Sequence, residues 1–428
     1  MKTSEIKVLI ITYYWPPAGG SGVQRWLKFV KYLRGFGIEP IVYTVDTDHL
    51  IQDDTLLKEV PQGVEVMKRP IKEPQQILSF LGGKSKKQGA GFLESKPSFT
   101  GKIMRYIRAN YFIPDARKFW VKPSVDFLTT YLKENPVDAI ITSGPPHSLH
   151  LIGMRLKSKL KIKWISDFRD PWTNIDYFHR LPLSKSSLRK HQQLEEAVLK
   201  NSDQVIVVGN TMKEEFLPYN QQIDVISNGF DTAENDKNVL LDDAFTITHV
   251  GMMNADRNAK NLWRVLKRLS DTNEDFKNAL KIRLIGKVAD EIKEQLSIFE
   301  KDQIECIDYL NHTEVHKYQR ASQVLLLSIN NVPNAKGIVT GKIFEYLQAK
   351  RPILAIGPED GDAADILNAT KAGKIFDFQE EKKLEAYISL LFEQYKGGNL
   401  VVDSKNIEGY HRKQLTEELA RIIKKIST

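Results

Sequence analysis

GIVTGKIFEYLQAKRPILAIGPEDGDAADIL, residues 337–367, sets a Gly/Thr-rich turn, a short helix and a buried apolar strand ending on glycine in direct succession. Turn, helix and strand in this order form the repeating half of a parallel α/β sheet. A helix N-terminus carries unsatisfied N–H groups that attract phosphate, and Gly341 lets a ligand come close. Lys342 adds a point charge, and Glu345, one turn on, offers two acceptor oxygens suited to the hydroxyls of a ribose. Together they predict a nucleoside-diphosphate site. A solvated i, i+3 pair on an amphipathic helix would account for the same two residues without a ligand.

The same alternation runs the length of the chain. IKVLIIT, PIVYTVD, VEVMKR, AIITSG, KWISDF and QVIVVG read as strands of a first set. VISNGFD, FTITHVG, KIRLIGK, QIECIDYL, QVLLLSI, PILAIG and GKIFDF read as a second. Helical patterns at 260–270, 289–300 and 340–349 lie between them, so the expected fold is α/β, built of βαβ units. At 428 residues the chain is too long for one core, and two domains of roughly 200 residues each are expected. The sequence places them at 1–215 and 216–404, each Rossmann-like, with an amphipathic helix at 405–428. Ligands of open α/β sheets bind beyond the carboxyl ends of strands, so the loops after strands are where chemistry is sought.

Composition excludes several classes. Apolar residues make up 41% and charged residues 27%, as in ordinary globular proteins, so disorder is not expected. The single cysteine cannot form an internal disulfide, and the nine histidines make no metal-ligand pattern. No apolar run approaches the roughly 18 residues of a membrane span, and no secretory leader follows the first strand, which predicts a cytoplasmic protein. Charge is uneven: Arg69 to Pro123 holds 12 Lys/Arg against 3 Asp/Glu, which exceeds the net +8 of the whole chain. Within it lie the loop LGGKSKKQGAG (81–91) and a basic–aromatic stretch, 103–122. There Arg105, Arg108, Arg117, Lys118 and Lys122 alternate with Tyr106, Tyr111, Phe112, Phe119 and Trp120. Such a stretch suits an anionic membrane surface, or else packs as a helix with a solvated basic face; no nucleic-acid motif accompanies it, and none is expected as partner.

Four other loops carry candidate chemistry. YYWPPAGGSGVQRW follows the first strand, and its Gly19, Gly20 and Gly22 permit backbone approach to an anion at the start of a helix. TSGPPHSLH leaves His147 at a strand end as acid, base or hydrogen-bond donor, unless it is a packed or capping histidine. SDFRDPW clusters Asp167, Arg169 and Asp170, which an internal ion pair would also explain. THVGMMNADRNAKNL brings Arg257 and Lys260 to a helix start, two cations for a diphosphate.

These segments resemble the GT-B glycosyltransferases of family 4, in which a small-residue turn, a Lys and a Glu precede a "YLAAGKPIL"-like continuation. The resemblance extends over nearly the full length. It is sharpest at 13–33, 142–172, 225–260 and 337–367. It implies two Rossmann-like domains flanking a cleft, an N-terminal acceptor side, a C-terminal donor side and a last helix that returns to the first domain. Three departures stand out. Arg169 occupies the fifth-strand position where many such enzymes carry a histidine, and Met252 stands where an arginine is common, with Arg257 as its expected substitute. Of the family's two glutamates, separated by seven intervening residues, only Glu345 is present, since Gly337 stands where the other would be. Lys336 and the amides of 334–337 are the expected replacement.

The expectation is therefore transfer of a sugar from a nucleotide-diphosphate donor to a cell-surface glycan or lipid-linked acceptor. No metal or cofactor is required, because helix N-termini and Lys/Arg carry the leaving diphosphate. Arg257, Lys260, Lys342 and Glu345, with Gly19, Gly20, Gly22 and Gly341, bind the donor, and Asp170, Arg169 and His147 serve catalysis. The location implied is cytoplasmic, at the inner face of the plasma membrane through 103–122. Two other classes share the ligand: an epimerase of GT-B fold and an inactive nucleotide-sugar-binding protein.

Overall fold

The computed structural model describes residues 5–47, 52–71, 99–231, 239–308, 310 and 312–427. The basic loop at 81–91 lies outside them. The chain forms two compact units, one of residues 1–228 with 412–428, the other of Gly229–His411.

The first unit runs β1 (Ile6–Ile11), α1 (Ser21–Leu33), β2 (Ile38–Asp46), β3 (Glu65–Pro70), α2 (Phe99–Tyr111), α3 (Lys118–Glu134), β4 (Ala139–Gly144), α4 (Ser148–Leu160), β5 (Lys163–Phe168), α5 (Lys185–Asn201), β6 (Gln204–Val207), α6 (Asn210–Phe216) and β7 (Ile223–Val225). Its seven strands stand in the order β3-β2-β1-β4-β5-β6-β7, every pair parallel. A parallel sheet is covered on both faces, which is why its strands are nearly continuous apolar runs. Alternate residues of β1 serve opposite cores. Leu9 and Ile11 join Trp120, Leu128, Trp164 and Phe168 on one face; Val8 and Ile10 join Trp26, Val30 and Ile141 on the other.

The second unit runs β8 (Phe245–Val250), α7 (Lys260–Thr272), α8 (Glu274–Ala279), β9 (Leu280–Ile285), α9 (Asp290–Leu296), β10 (Ile304–Ile307), α10 (His312–Ala321), β11 (Val324–Ser328), α11 (Gly341–Ala349), β12 (Ile353–Ile356), α12 (Asp362–Thr370), β13 (Gly373–Phe376) and α13 (Lys382–Lys396). Its sheet, β10-β9-β8-β11-β12-β13, is again parallel throughout. Here Val324 and Leu326 point into one core, Leu325 and Leu327 into the other. The last helix, α14 (Arg412–Ser427), belongs to the first unit, where Leu415, Leu419 and Ile423 join the core on the α1 face.

Two sequence expectations change. VISNGFD does not open the second sheet: β7 pairs with β6, so the first unit extends to Asn228 instead of ending near 215. The basic–aromatic stretch does not present all its residues outward. Trp120 is 1% exposed and stacks on Tyr43 at 5.0 Å, and the Arg117 guanidinium lies over the Tyr13 ring at 5.0 Å. The hydrophobic gain of burying an indole outweighs any surface role for it.

Both sheets share one winding. The chain starts in the middle, grows to one side and then reverses, between β1 and β4 in the first unit and between β8 and β11 in the second. Loops diverge at such a switch point and leave room for a ligand.

Candidate active site

In the second unit the switch point is formed by the loops after β8 and β11. Gly251 ends β8 at φ +97°, and Gly286 ends β9 at φ +110°. Only glycine takes up this backbone readily, and at Gly251 space makes the same demand: a Cβ would stand 2.6 Å from Cε of Lys342. The bare backbone of one loop thus makes room for the Lys342 side chain from the other.

Lys342 lies in the first turn of α11. Tyr346 fixes that helix by accepting from the Val250 N–H at 3.1 Å and donating to the Leu326 carbonyl at 3.4 Å. Among the described residues no side chain caps the helix at Thr340, whose buried hydroxyl has no partner, and a Cβ added at Gly341 would meet nothing within 4 Å. Burial pushes the Lys342 ammonium down to about 7, with help from Arg257 and against the pull of Glu345. Arg257 is positioned by its own bonds, from Nε to Asn330 at 2.6 Å and from Nη1 to the Met252 carbonyl at 3.0 Å. Glu345 accepts from the Gln319 amide at 3.1 Å. His249 lies on β8, its Nδ1 3.1 Å from the Leu326 carbonyl. Burial and the nearby Lys342 hold that ring well below its ordinary value, so it is neutral. Two cations and one carboxylate at an uncapped helix N-terminus form a seat for an anion.

The structure thus brings Gly341, Lys342, Glu345 and Arg257 together. Lys260, 56% exposed, lies 3.5 Å from Glu291 on α9. Lys336 pairs with Asp360 at 2.5 Å.

In the first unit the switch point is closed by the protein's own groups. Asp167 lies on β5 facing α1, fully buried, and accepts from Arg25 Nη2 at 2.8 Å, Trp26 Nε1 at 2.9 Å and Ser143 Oγ at 2.8 Å. Burial works to raise its carboxyl, yet Arg25 and the hydrogen bonds outweigh it and hold the group below the usual carboxylate range. Arg25 also donates to the Ser227 carbonyl at 3.0 Å. Arg169 is turned inward. It donates to the carbonyls of Gly22 at 2.8 Å and Pro145, tying the β1 and β4 loops together. Gly22 is small because a Cβ would come within 3.1 Å of the Tyr14 ring and 3.3 Å of Arg169, whereas Gly20, at φ +88°, caps α1 with open space around it. Gly19 precedes it in the same turn.

The helix after β4 begins with its N-terminus filled. Asp115 accepts from the Ser148 N–H and hydroxyl, both at 2.9 Å, and from the Arg117 N–H at 2.8 Å. His147 precedes α4 and stacks on Trp172, the rings 5.1 Å apart and 6° from parallel. Its Nδ1 and the Nε2 of His150 are buried without partners among the described residues. Burial, then repulsion from His150, keeps His147 well below its ordinary value, so it is neutral at pH 7. The loop carrying Asp170 is fastened from α5: Glu195 accepts from Trp172 N at 3.2 Å and Thr173 N at 3.1 Å, and His191 accepts from the Trp172 indole at 3.0 Å. Asp170 itself is exposed. Surrounding protein and Asp176 nonetheless push its carboxyl up against the pull of Arg169.

Sequence reasoning passed over Arg25, Asp115, Glu195, His249 and Asn330. Asp167 offered one usable signal, a charge at a core-facing position of an apolar strand, which demands a buried partner. Asp115 and Glu195 carry no local mark, since their partners lie 33 and 22–23 residues away.

Residues 91–234 match the family model Glycosyltransferase Family 4. No curated protein matches the chain in sequence at a significant level. Solved structures match it in fold over nearly its whole length. A glycosyltransferase from Rickettsia africae ESF-5 shares 14% identity at a TM-score of 0.58, covering 99% of this chain and 98% of its own. TarM shares 12% at 0.59, covering 98% and 99%. Anabaena Alr3699/HepE, in complex with UDP-glucose, shares 12% at 0.54, covering 99% and 97%. At these identities the likeness establishes the fold, which is GT-B, and the chain resembles the GT-B glycosyltransferases of family 4.

Proposed function

We propose that this protein is a glycosyltransferase that moves a sugar from a nucleoside-diphosphate donor to a cell-surface glycan or lipid-linked acceptor at the cytoplasmic side of a membrane. The observation that carries the reading is Lys342, a half-buried lysine whose ammonium has no hydrogen-bond or ion-pair partner among the described residues, at a helix N-terminus that no side chain caps. A buried charge is costly unless something pairs with it, and a diphosphate supplies the missing charge. In this reading Lys342, Arg257 and the α11 amides take the diphosphate, and Glu345 takes ribose hydroxyls. They stabilise the leaving group electrostatically, without a divalent ion or a cofactor. Asp170 receives the acceptor hydroxyl, with neutral His147 in the same unit. The match to Glycosyltransferase Family 4 and the UDP-glucose held by a protein of the same fold support the reading.

A panel of nucleotide sugars, read by release of nucleoside diphosphate and followed by product NMR, tests it. Release that depends on acceptor supports transfer. Donor turnover without acceptor would point to the epimerase class, and saturable binding without turnover to a binding protein. Asp170→Asn separates acceptor from donor chemistry. Its nucleotide affinity should stay near wild type while turnover falls by about 10²- to 10⁴-fold, the usual contribution of a base. Wild-type turnover in the folded variant would remove Asp170 from the mechanism and turn attention to His147.

A further inference from the structure

Helices of globular proteins turn their apolar stripe inward. α2 does the reverse. Ile103, Met104, Ile107 and Tyr111 share one face, by their i, i+1, i+4, i+8 spacing, and are 45%, 46%, 37% and 68% exposed. Phe119, at the start of α3, adds 49%, and Leu188 on α5 adds 38%. The helix is fastened in this pose by Asn110, which donates to the Pro182 carbonyl at 2.8 Å and accepts from the Ser184 N–H at 2.8 Å.

Cations surround this face. Lys102 and Arg108 are exposed on α2, and Lys185, Arg189 and Lys190 are exposed on α5. Lys118 spreads over the rings of Phe112 and Phe119, at 5.4 and 5.2 Å. Burial and repulsion from Lys190 lower its ammonium, so two positive charges stand close together on the patch. The only acid between residues 99 and 122 is Asp115, and it is turned inward to cap α4. No helix among the described residues is long and apolar enough to cross a membrane.

We propose that the outward face of α2, with Phe119 and the start of α5, docks the protein on an anionic lipid surface. Apolar side chains enter the interface between headgroups and acyl chains while the surrounding Lys and Arg meet phosphates. The charge complementarity favours anionic lipid over a second copy of the same positively charged face, which would repel itself. This inference stands apart from the donor seat, whose residues belong to the other unit.

The test is flotation of the full chain with vesicles of phosphatidylcholine alone and of phosphatidylcholine mixed with phosphatidylglycerol, at low and high salt. Binding should favour the anionic vesicles by roughly tenfold or more and weaken by a similar factor at high salt, because screening acts within a Debye length. Two variants, Ile103→Ser/Ile107→Ser/Tyr111→Ser and Lys102→Gln/Arg108→Gln/Lys190→Gln, should each lose about tenfold in binding, while a Lys301→Gln/Lys382→Gln control binds as wild type. Their circular-dichroism melts and nucleotide binding should match wild type, which keeps failure here distinct from failure of the donor assignment. Equal binding to neutral and anionic vesicles would overturn the proposal, as would either variant floating like wild type. Two further results would do the same in the absence of vesicle binding: retention by single-stranded nucleic acid, or a dimer abolished by the serine variant.

Discussion

The helix after the fourth strand of each sheet starts at the same topological position, yet the two N-termini are treated oppositely. In the first unit α4 receives the protein's own Asp115, whose carboxylate takes the Ser148 N–H and hydroxyl. In the second, α11 has no capping side chain and holds Lys342 and Gly341 instead. One helix dipole is answered by a carboxylate of the fold; the other meets no capping side chain among the described residues. The neighbouring charges follow suit. Asp167 in the first unit is saturated by Arg25, Trp26 and Ser143, while in the second two cations face one carboxylate that the Gln319 amide already engages. A shared winding therefore does not imply a shared ligand. In the proposed function the phosphate-bearing ligand belongs to the second unit, where the fourth-strand helix lacks a side-chain cap.

The largest effect expected from this contrast is on stability. Asp167→Asn leaves Arg25 buried without its counter-charge, and breaking such a pair costs about 3–5 kcal/mol. Because the folded Asp167 carboxyl sits below its ordinary value, its contribution is complete above about pH 4 and is lost as pH falls through the folded value. Urea unfolding at pH 7 and at pH 3 checks both statements. A loss under about 1 kcal/mol at pH 7 would mean that Asp167 is dispensable to the fold. A loss of nucleotide binding in a folded variant would mean that the first unit takes part in the donor seat.

The next effect belongs to the open helix. Lys342→Ala and Glu345→Ala each remove a polar partner of the donor and no core contact. Charge-assisted hydrogen bonds are worth about 1.5–3 kcal/mol, so affinity should fall roughly tenfold or more in each. Calorimetry with UDP and GDP reads this directly. Affinity unchanged in both variants, for whichever nucleotide binds, would leave α11 as uncapped as the structure has it but without the ligand assigned to it.

Much of this contrast was legible in the sequence, and the part that was not has a common cause. Alternating apolar strands and helical periodicity marked the sheets, because hydrophobic period is a local signal. The Gly–Lys–Glu spacing at the start of α11 was legible for the same reason: the small-residue turn, the helix start and both charges lie within nine residues, Gly337 to Glu345. The closed seat could not be read this way. Asp115 caps a helix 33 residues on, and Arg25 reaches Asp167 across 142 residues, so neither pairing leaves a local pattern. The inward turn of Trp120 and Arg117 was hidden in the same manner, since alternation of basic and aromatic residues does not say which face of a helix meets the core. What decided it was Tyr43, a residue of β2, for Trp120, and Tyr13, just after β1, for Arg117.

The smallest effect, and the most specific, concerns protons at the open helix. With its ammonium lowered to about 7, Lys342 is only partly charged near neutrality in the unliganded protein. A bound diphosphate favours the charged form, so binding should take up a fraction of a proton at pH 7 and a larger fraction at pH 8, with affinity falling by at most about tenfold per pH unit above 7. The sign for the fold itself is opposite. A lysine depressed in the folded state costs stability while it is charged. Stability of the unliganded protein should therefore rise with pH between about 7 and the ordinary 10.5. Titration calorimetry in two buffers of different ionisation enthalpy measures the uptake, and Lys342→Arg, charged throughout, corrects for titration of the nucleotide's own phosphate. If wild type and Lys342→Arg take up protons equally at pH 8, the ligand does not meet Lys342, and the open N-terminus of α11 must be explained without it.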